Sequence, residues 1–148
     1  MAENSKSDFD KMVDSIQAEL DAEAEATFSK KVLNECMHPQ NVGRMKEPDS
    51  VAIITGSCGD TMEIFLSIKD GKINEVQFMT DGCAPTLACG SMISKMAKGK
   101  SLQEVSKVTN NDLIKALDGL PDENLHCAKL AVDTLQKAIN NYIKDQEK

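Results

Sequence analysis

Apolar and polar residues alternate over three consecutive stretches in the first half of the chain, and apolar residues recur at helical spacing almost everywhere else. Thr61 to Ile68 places Met62, Ile64, Leu66 and Ile68 on one face and Glu63, Phe65 and Ser67 on the other. That period of two is the pattern of a half-buried strand. The shorter run Val51-Ala-Ile-Ile-Thr-Gly56 precedes it. Ile73 to Thr80 follows, with Ile73, Val76, Phe78 and Thr80 in alternation after a slip near Asn74 and Glu75. Asp70-Gly71 between the last two is a strong hairpin signal. The pattern predicts three consecutive antiparallel strands.

Helical stripes flank this block. Phe9, Met12, Val13, Ile16 and Leu20 mark one face of an N-terminal amphipathic helix. Phe28, Val32, Leu33 and Cys36 continue a stripe from about Thr27 to Met37, ended by Pro39, and place Cys36 in the core. After the strands, Leu87, Met92, Ile93 and Met96 predict a helix over 85–98 with Gly99 as its stop. Ser101-Leu-Gln-Glu104 is a capping box. Thr109 or Asn110 opens a helix carrying Leu113, Ile114 and Leu117, closed by Gly119 and Pro121. The last helix spans about 123–144, burying Ala128, Ala131, Val132, Leu135, Ala138, Ile139 and Tyr142. A small sheet followed by helices that cover it is an α+β architecture.

The change of period falls on Thr80-Asp81-Gly82-Cys83-Ala84-Pro85-Thr86. Gly82 permits a sharp turn through positive φ, and Pro85 is tolerated in a first helical turn. Cys83 is thereby placed at a helix N-terminus, where free N–H groups and the dipole favour a thiolate. Cys58 lies in the loop between the first two strands, with Asp60 two residues on. Cys127 lies in the first turn of the last helix, beside His126.

These three cysteines are 25 and 44 residues apart, so they make no paired zinc knuckle, and any site must be assembled by the fold. Three thiolates with an imidazole or carboxylate suit zinc or an iron–sulfur cluster. The Asp60 oxygen is harder than sulfur, and a mixed set of this kind holds iron less firmly than four thiolates. That suits a site that releases what it binds. Cys89 is about 9 Å along the helix from Cys83, at ~1.5 Å per residue, and on a different face, so it reads as a packing residue.

Charge and composition narrow the partners. The net charge is −7, and residues 1–26 hold eight acids against two lysines, so the acidity belongs to the N-terminal arm. With no basic patch, no Trp and 3% aromatics, nucleic-acid binding is not expected. No apolar run approaches the ~20 residues of a membrane span, and the N-terminus has neither a secretory nor a transit pattern. An odd count of five cysteines without an export signal predicts thiol or metal chemistry in the cytoplasm rather than a disulfide framework. For the arm, docking on the body or self-association into a homo-oligomer is favoured over binding another partner.

Asn41-Val42-Gly43, Cys58-Gly59-Asp60, Asp81-Gly82-Cys83, Lys98-Gly99-Lys100-Ser101-Leu102 and Leu125-His126-Cys127 occur in this order. Together they resemble the IscU/NifU N-terminal family of iron–sulfur cluster assembly scaffolds, over about Phe28 to Tyr142. The resemblance implies a small antiparallel sheet packed with helices over residues 27–148, behind a separate arm at 1–26. It implies that Cys58, Cys83 and Cys127 take sulfur and ligate the nascent cluster. It implies further that Asp60 keeps the cluster labile and that His126 is an alternate ligand. A cysteine desulfurase would deliver persulfide sulfur, iron and electrons would follow, and a [2Fe–2S] or [4Fe–4S] cluster would pass to an apo-protein. The protein would have no turnover of its own.

The family's chaperone-docking stretch, Leu-Pro-Pro-Val-Lys, reads here Leu120-Pro121-Asp122-Glu123-Asn124. Two acids replace a proline and a valine and the basic residue is gone, which argues against a dedicated Hsp70-type chaperone. A zinc-dependent sulfur acceptor for a desulfurase is the alternative. Some relatives of that kind carry an insertion between the second and third cysteines and lack the histidine, whereas this chain has no insertion and keeps His126. A purely structural zinc site would use the same ligands, but Asp60 suits it poorly, since closed structural sites favour Cys and His.

Overall fold

The computed structural model describes residues 8, 9, 11, 12, 15 and 27–146. Helix α1 (Lys30–Met37) leads into a three-stranded sheet of β1 (Ser50–Thr55), β2 (Thr61–Lys69) and β3 (Lys72–Thr80). Four helices follow: α2 (Ala84–Ala97), α3 (Leu102–Val105), α4 (Asn110–Ala116) and, after a 3-10 turn at Asp122–Asn124, the long α5 (Leu125–Gln146). In the arm, Asp8, Phe9, Lys11, Met12 and Ser15 are helical and exposed. The expected apolar positions Val13, Ile16 and Leu20 lie outside the described residues.

The sheet has the order β1-β2-β3, antiparallel throughout. The slip near Asn74 is a β-bulge: Ser67 faces Glu75 and Ile68 faces Ile73, so Asn74 is the extra residue. The bulge restores Ile73 to the same face as Val76 and Phe78. All three are fully buried there with Met62, Ile64 and Leu66. Each such side chain contributes roughly 1.5–3 kcal/mol by leaving water.

Helices α2 and α5 cover this face, α2 on β3 and α5 on β1 and β2. Helix α2 is buried nearly all round, because α1 and α4 pack on it as well. Gly90 is at its closest approach to the sheet, where a Cβ would stand 2.4 Å from Cε2 of Phe78. Glu35 of α1 is buried against α2, accepting from Ser91 Oγ at 2.6 Å and pairing with Lys95. Ser91 Oγ in turn accepts from the Gln40 N–H at 2.8 Å, which ties the following segment to the same helix.

That segment crosses the outward face of the sheet. The Gly43 N–H donates to the Phe78 carbonyl, Arg44 pairs with Glu63 through two bonds of 3.2 Å, and the Asp49 N–H reaches the Leu66 carbonyl. Phe65 lies on this face, beside Val51 and Gln77 in register, and is buried rather than exposed as strand alternation alone implies. Both outer strands have their edges occupied. Along β3, Val42 bridges Phe78 and Ser101 bridges Lys72. Along β1, Asn141 Nδ2 donates to the Val51 carbonyl at 3.0 Å and Lys137 Nζ to the Ile53 carbonyl at 3.3 Å.

The capping boxes form at Ser101 with Glu104 and, with Thr109 rather than Asn110 as the cap, at Thr109 with Asp112. Two expectations for the core are corrected. Cys36 is half-buried, with its Sγ 3.0 Å from the Ala84 carbonyl, because α2 begins beside it instead of covering it. Tyr142 is also only half-buried, since α5 runs on past the end of the sheet. Among the described residues, no helix is long and apolar enough to cross a membrane.

A candidate metal centre at the loop end of the sheet

The chain brings three loops or helix starts together at one end of the sheet. The β1–β2 loop is closed by the Gly56 N–H donating to the Asp60 carbonyl at 2.8 Å, and Thr55 and Thr61 join their hydroxyls across its base at 2.8 Å. Cys58 is exposed at the tip. The end of β3 is bolted to the start of β2. Asp81 Oδ1 accepts from the Thr61 N–H at 2.7 Å, and Thr80 Oγ1 donates to the Thr61 carbonyl at 2.7 Å. These bonds fix Cys83, the N-cap of α2, relative to Asp60 on the neighbouring loop.

The reason for a glycine at position 82 differs from the expected one. Its φ is not positive. What matters is space: a Cβ there would stand 2.7 Å from Thr86 Cγ2 and 2.8 Å from Asp60 Oδ2. Such approaches are far inside van der Waals contact, so the Asp60 carboxylate and Thr86 meet only over a bare backbone.

Thr86 was not legible as a site residue, yet it stands at the centre. Its side chain is fully buried. The hydroxyl donates to Asp60 Oδ2 at 2.9 Å, and the same oxygen lies 3.3 Å from Cys127 Sγ and 3.6 Å from Cys83 Sγ. Cys83 Sγ is 3.9 Å from Asp60 Oδ2. From the first turn of α5, His126 Nε2 comes within 3.6 Å of Cys127 Sγ. The only signal for Thr86 in the sequence is its place three residues after Cys83, on the same face of the first helical turn.

The site is a shallow cup with a graded depth. Cys127 is its buried floor, Asp60 and His126 are half-buried walls, and Cys58 and Cys83 form an exposed rim. Burial pushes the Cys127 thiol up, the hydrogen bond from Thr86 draws it back, and the charges of Cys83 and Cys58 raise it again. Among the described residues, no three His, Cys, Asp or Glu side chains are yet gathered at the spacing a metal ion needs. Cys58 and Cys83 are the two exposed thiols of the group. Cys89 lies apart, fully buried in the core, and desolvation drives its thiol strongly up.

Comparison with known proteins identifies the family and the fold. Residues 27–148 match the NifU-like N terminal domain. The iron-sulfur cluster assembly scaffold protein IscU 1 of Archaeoglobus fulgidus is 39% identical over 122 residues, covering 82% of this chain and 80% of its own. The iron-sulfur cluster assembly enzyme IscU of Drosophila melanogaster is 35% identical over 130 residues, covering 83% of each chain. In structure, the N-terminal part of a nitrogen-fixing NifU-like protein from Brucella abortus superposes with a TM-score of 0.63 at 19% identity, over 78% of this chain and 94% of that one. With the three-stranded sheet, the covering helices and the cysteine-bearing end of the sheet all in place, the chain belongs to the NifU-like N-terminal domain family.

Proposed function

We propose that this protein is a scaffold on which an iron–sulfur cluster is assembled and from which it passes to apo-proteins. The observation that carries the reading is the convergence of Asp60, Cys83 and Cys127 on one buried hydroxyl, with Cys58 exposed on the same loop as Asp60. A closed structural site would hide its ligands; this one leaves half of them open to arriving sulfur and iron, and to an acceptor.

In this reading Cys58, Cys83 and Cys127 receive sulfur and ligate the cluster, and His126 is an alternate ligand. Asp60 supplies a hard oxygen that weakens retention. A cysteine desulfurase transfers its terminal persulfide sulfur to a scaffold thiolate, regenerating its own thiol. Two electrons from a reductant convert each sulfane sulfur to sulfide, and ferrous iron completes a [2Fe–2S] cluster, or a [4Fe–4S] cluster on further assembly. The cluster is cargo, and the protein has no turnover of its own. Zinc occupies the same ligands when iron and sulfide are lacking. The reading places the work in the cytoplasm, in residues 27–148, with 1–26 as an acidic arm for docking or self-association. The exposed acids Asp122 and Glu123 ahead of α5 argue against an Hsp70-type chaperone docking there.

The test is anaerobic reconstitution with iron, cysteine and a cysteine desulfurase, followed by mixing with apo-ferredoxin. Visible absorbance that appears on this protein and then moves to the ferredoxin upholds the scaffold. Zinc-loaded protein that accelerates the desulfurase while no cluster forms would instead establish the sulfur-acceptor reading. The short connection from Cys83 to Cys127 and the presence of His126 favour the scaffold over that alternative.

A further inference from the structure

We propose that Thr86 is the positioning residue of this site: its hydroxyl aims the Asp60 carboxylate at the metal and then serves the Cys127 sulfur once the metal is bound. The proposal rests on the ligand set of the reading above, and its experiment reads metal binding apart from cluster assembly and transfer.

A threonine hydroxyl has one proton and so serves one acceptor at a time. Without metal, the better acceptor is the carboxylate, and the proton points to Asp60 Oδ2 at 2.9 Å. Cys127 Sγ lies 3.3 Å from the same oxygen, on a side chain buried too deeply for water to replace that bond. A metal on Asp60 would draw charge off the carboxylate and make it the weaker acceptor, while Cys127, on ligating, would release its proton to solvent and become the stronger one. Rotation about the Thr86 Cβ–Oγ1 bond then moves the hydrogen bond from oxygen to sulfur, with no other atom displaced. Hydrogen bonds around a metal fix the direction and donor strength of its ligands. Gly82 supplies the room, since any side chain there would drive Asp60 and Thr86 apart.

The experiment uses the full chain and Zn2+, with affinity read by competition against a chromophoric chelator. Thr86→Val keeps the shape and removes the hydroxyl. The expected result is a loss of about tenfold in Zn2+ affinity, the low end for a residue that orients a ligand, with Thr86→Ser close to the parent. Paired with Asp60→Ala in a double-mutant cycle, Thr86→Val loses the part of its effect that acts through the carboxylate and keeps the part that acts through the Cys127 sulfur. Co2+-loaded Thr86→Val shows its sulfur-to-metal charge-transfer band at lower energy than the parent, since an unbonded thiolate gives up an electron more readily. An undiminished penalty in the Asp60→Ala background, or parental affinity in Thr86→Val, overturns the proposal. Should Thr86→Val fail to fold, Thr86→Ser against Thr86→Ala poses the same question. Zn2+ binding involves neither desulfurase nor acceptor, so a failure of cluster transfer in the parent overturns the scaffold reading alone.

Discussion

Gly90 and Phe78 touch without any side chain between them: a Cβ on the glycine would sit 2.4 Å from Cε2 and 2.5 Å from Cδ2 of the ring. The separation of helix α2 from strand β3 is therefore set by a ring lying on a bare helix backbone. Because Cys83 and Thr86 ride on the first turn of that helix, the same contact sets their height above the sheet. Gly90→Ala is expected to destabilise the protein by about 1–3 kcal/mol through overpacking, despite the better helix propensity of alanine. Urea denaturation measures it, and Phe78→Leu in the same chain should recover part of the loss by making room.

Asp60→Ala is expected to lengthen the lifetime of a reconstituted cluster and to slow its transfer to apo-ferredoxin on the order of 10-fold, equivalent to about 1.4 kcal/mol. Cys83→Ser should abolish assembly. Stopped-flow absorbance during transfer gives the rate. Parental transfer by Asp60→Ala would remove the carboxylate from any role in release.

Stability should fall in alkali in a way that Cys36 accounts for in part. Burial, reinforced by the charge of Cys83, pushes the Cys36 thiol from 9.0 up to about 11, while the Ala88 backbone offsets some of the rise. The folded chain thus holds that proton more tightly than the unfolded one. The sign follows from linkage: the contribution is whole below the unfolded value and is lost as pH rises through the folded one. Thermal unfolding between about pH 9 and pH 11 should show a smaller decline for Cys36→Ala than for the parent.

Lys95→Ala leaves the Glu35 carboxylate, 4% exposed, with Ser91 as its remaining side-chain partner. A buried group deprived of a charged partner costs about 1–3 kcal/mol. Glu35→Gln combined with Lys95→Ala should be milder than Lys95→Ala alone, because the amide needs no counter-charge. Equilibrium denaturation of the three variants decides it.

The parts of this molecule that depend on local periodicity were legible in the sequence. The hairpin at Asp70-Gly71 and even the bulge at Asn74 were visible, because a strand that must keep Ile73, Val76 and Phe78 on one face announces the extra residue as a slipped alternation. The positions of Cys58, Cys83 and Cys127 in the fold were legible because each sits where one element ends and another begins. Features that depend on distant segments were not. Nothing near Phe65 announces that residues 41–49 will pass over it. Glu35 reads as a surface acid until α2 brings Ser91 and Lys95 to it. Thr86 is an ordinary first-turn residue until the fold sets Asp60, 26 positions earlier, and Cys127, 41 positions later, against its hydroxyl. Gly82 was noticed, but its purpose was mistaken, since only the packed neighbours reveal that volume rather than torsion is at stake.

The occupied edges of the sheet bear on how this protein meets others. With Val42 and Ser101 along β3, and Lys137 and Asn141 on two carbonyls of β1, each edge of the ladder is interrupted against a visiting strand. A carrier that meets many incompletely folded acceptors is exposed to lasting entanglement wherever its backbone is open, since an edge strand is a template for pairing. For a scaffold of the proposed kind, an acceptor that docks at the cysteine-bearing end need not pair with the sheet backbone at those positions.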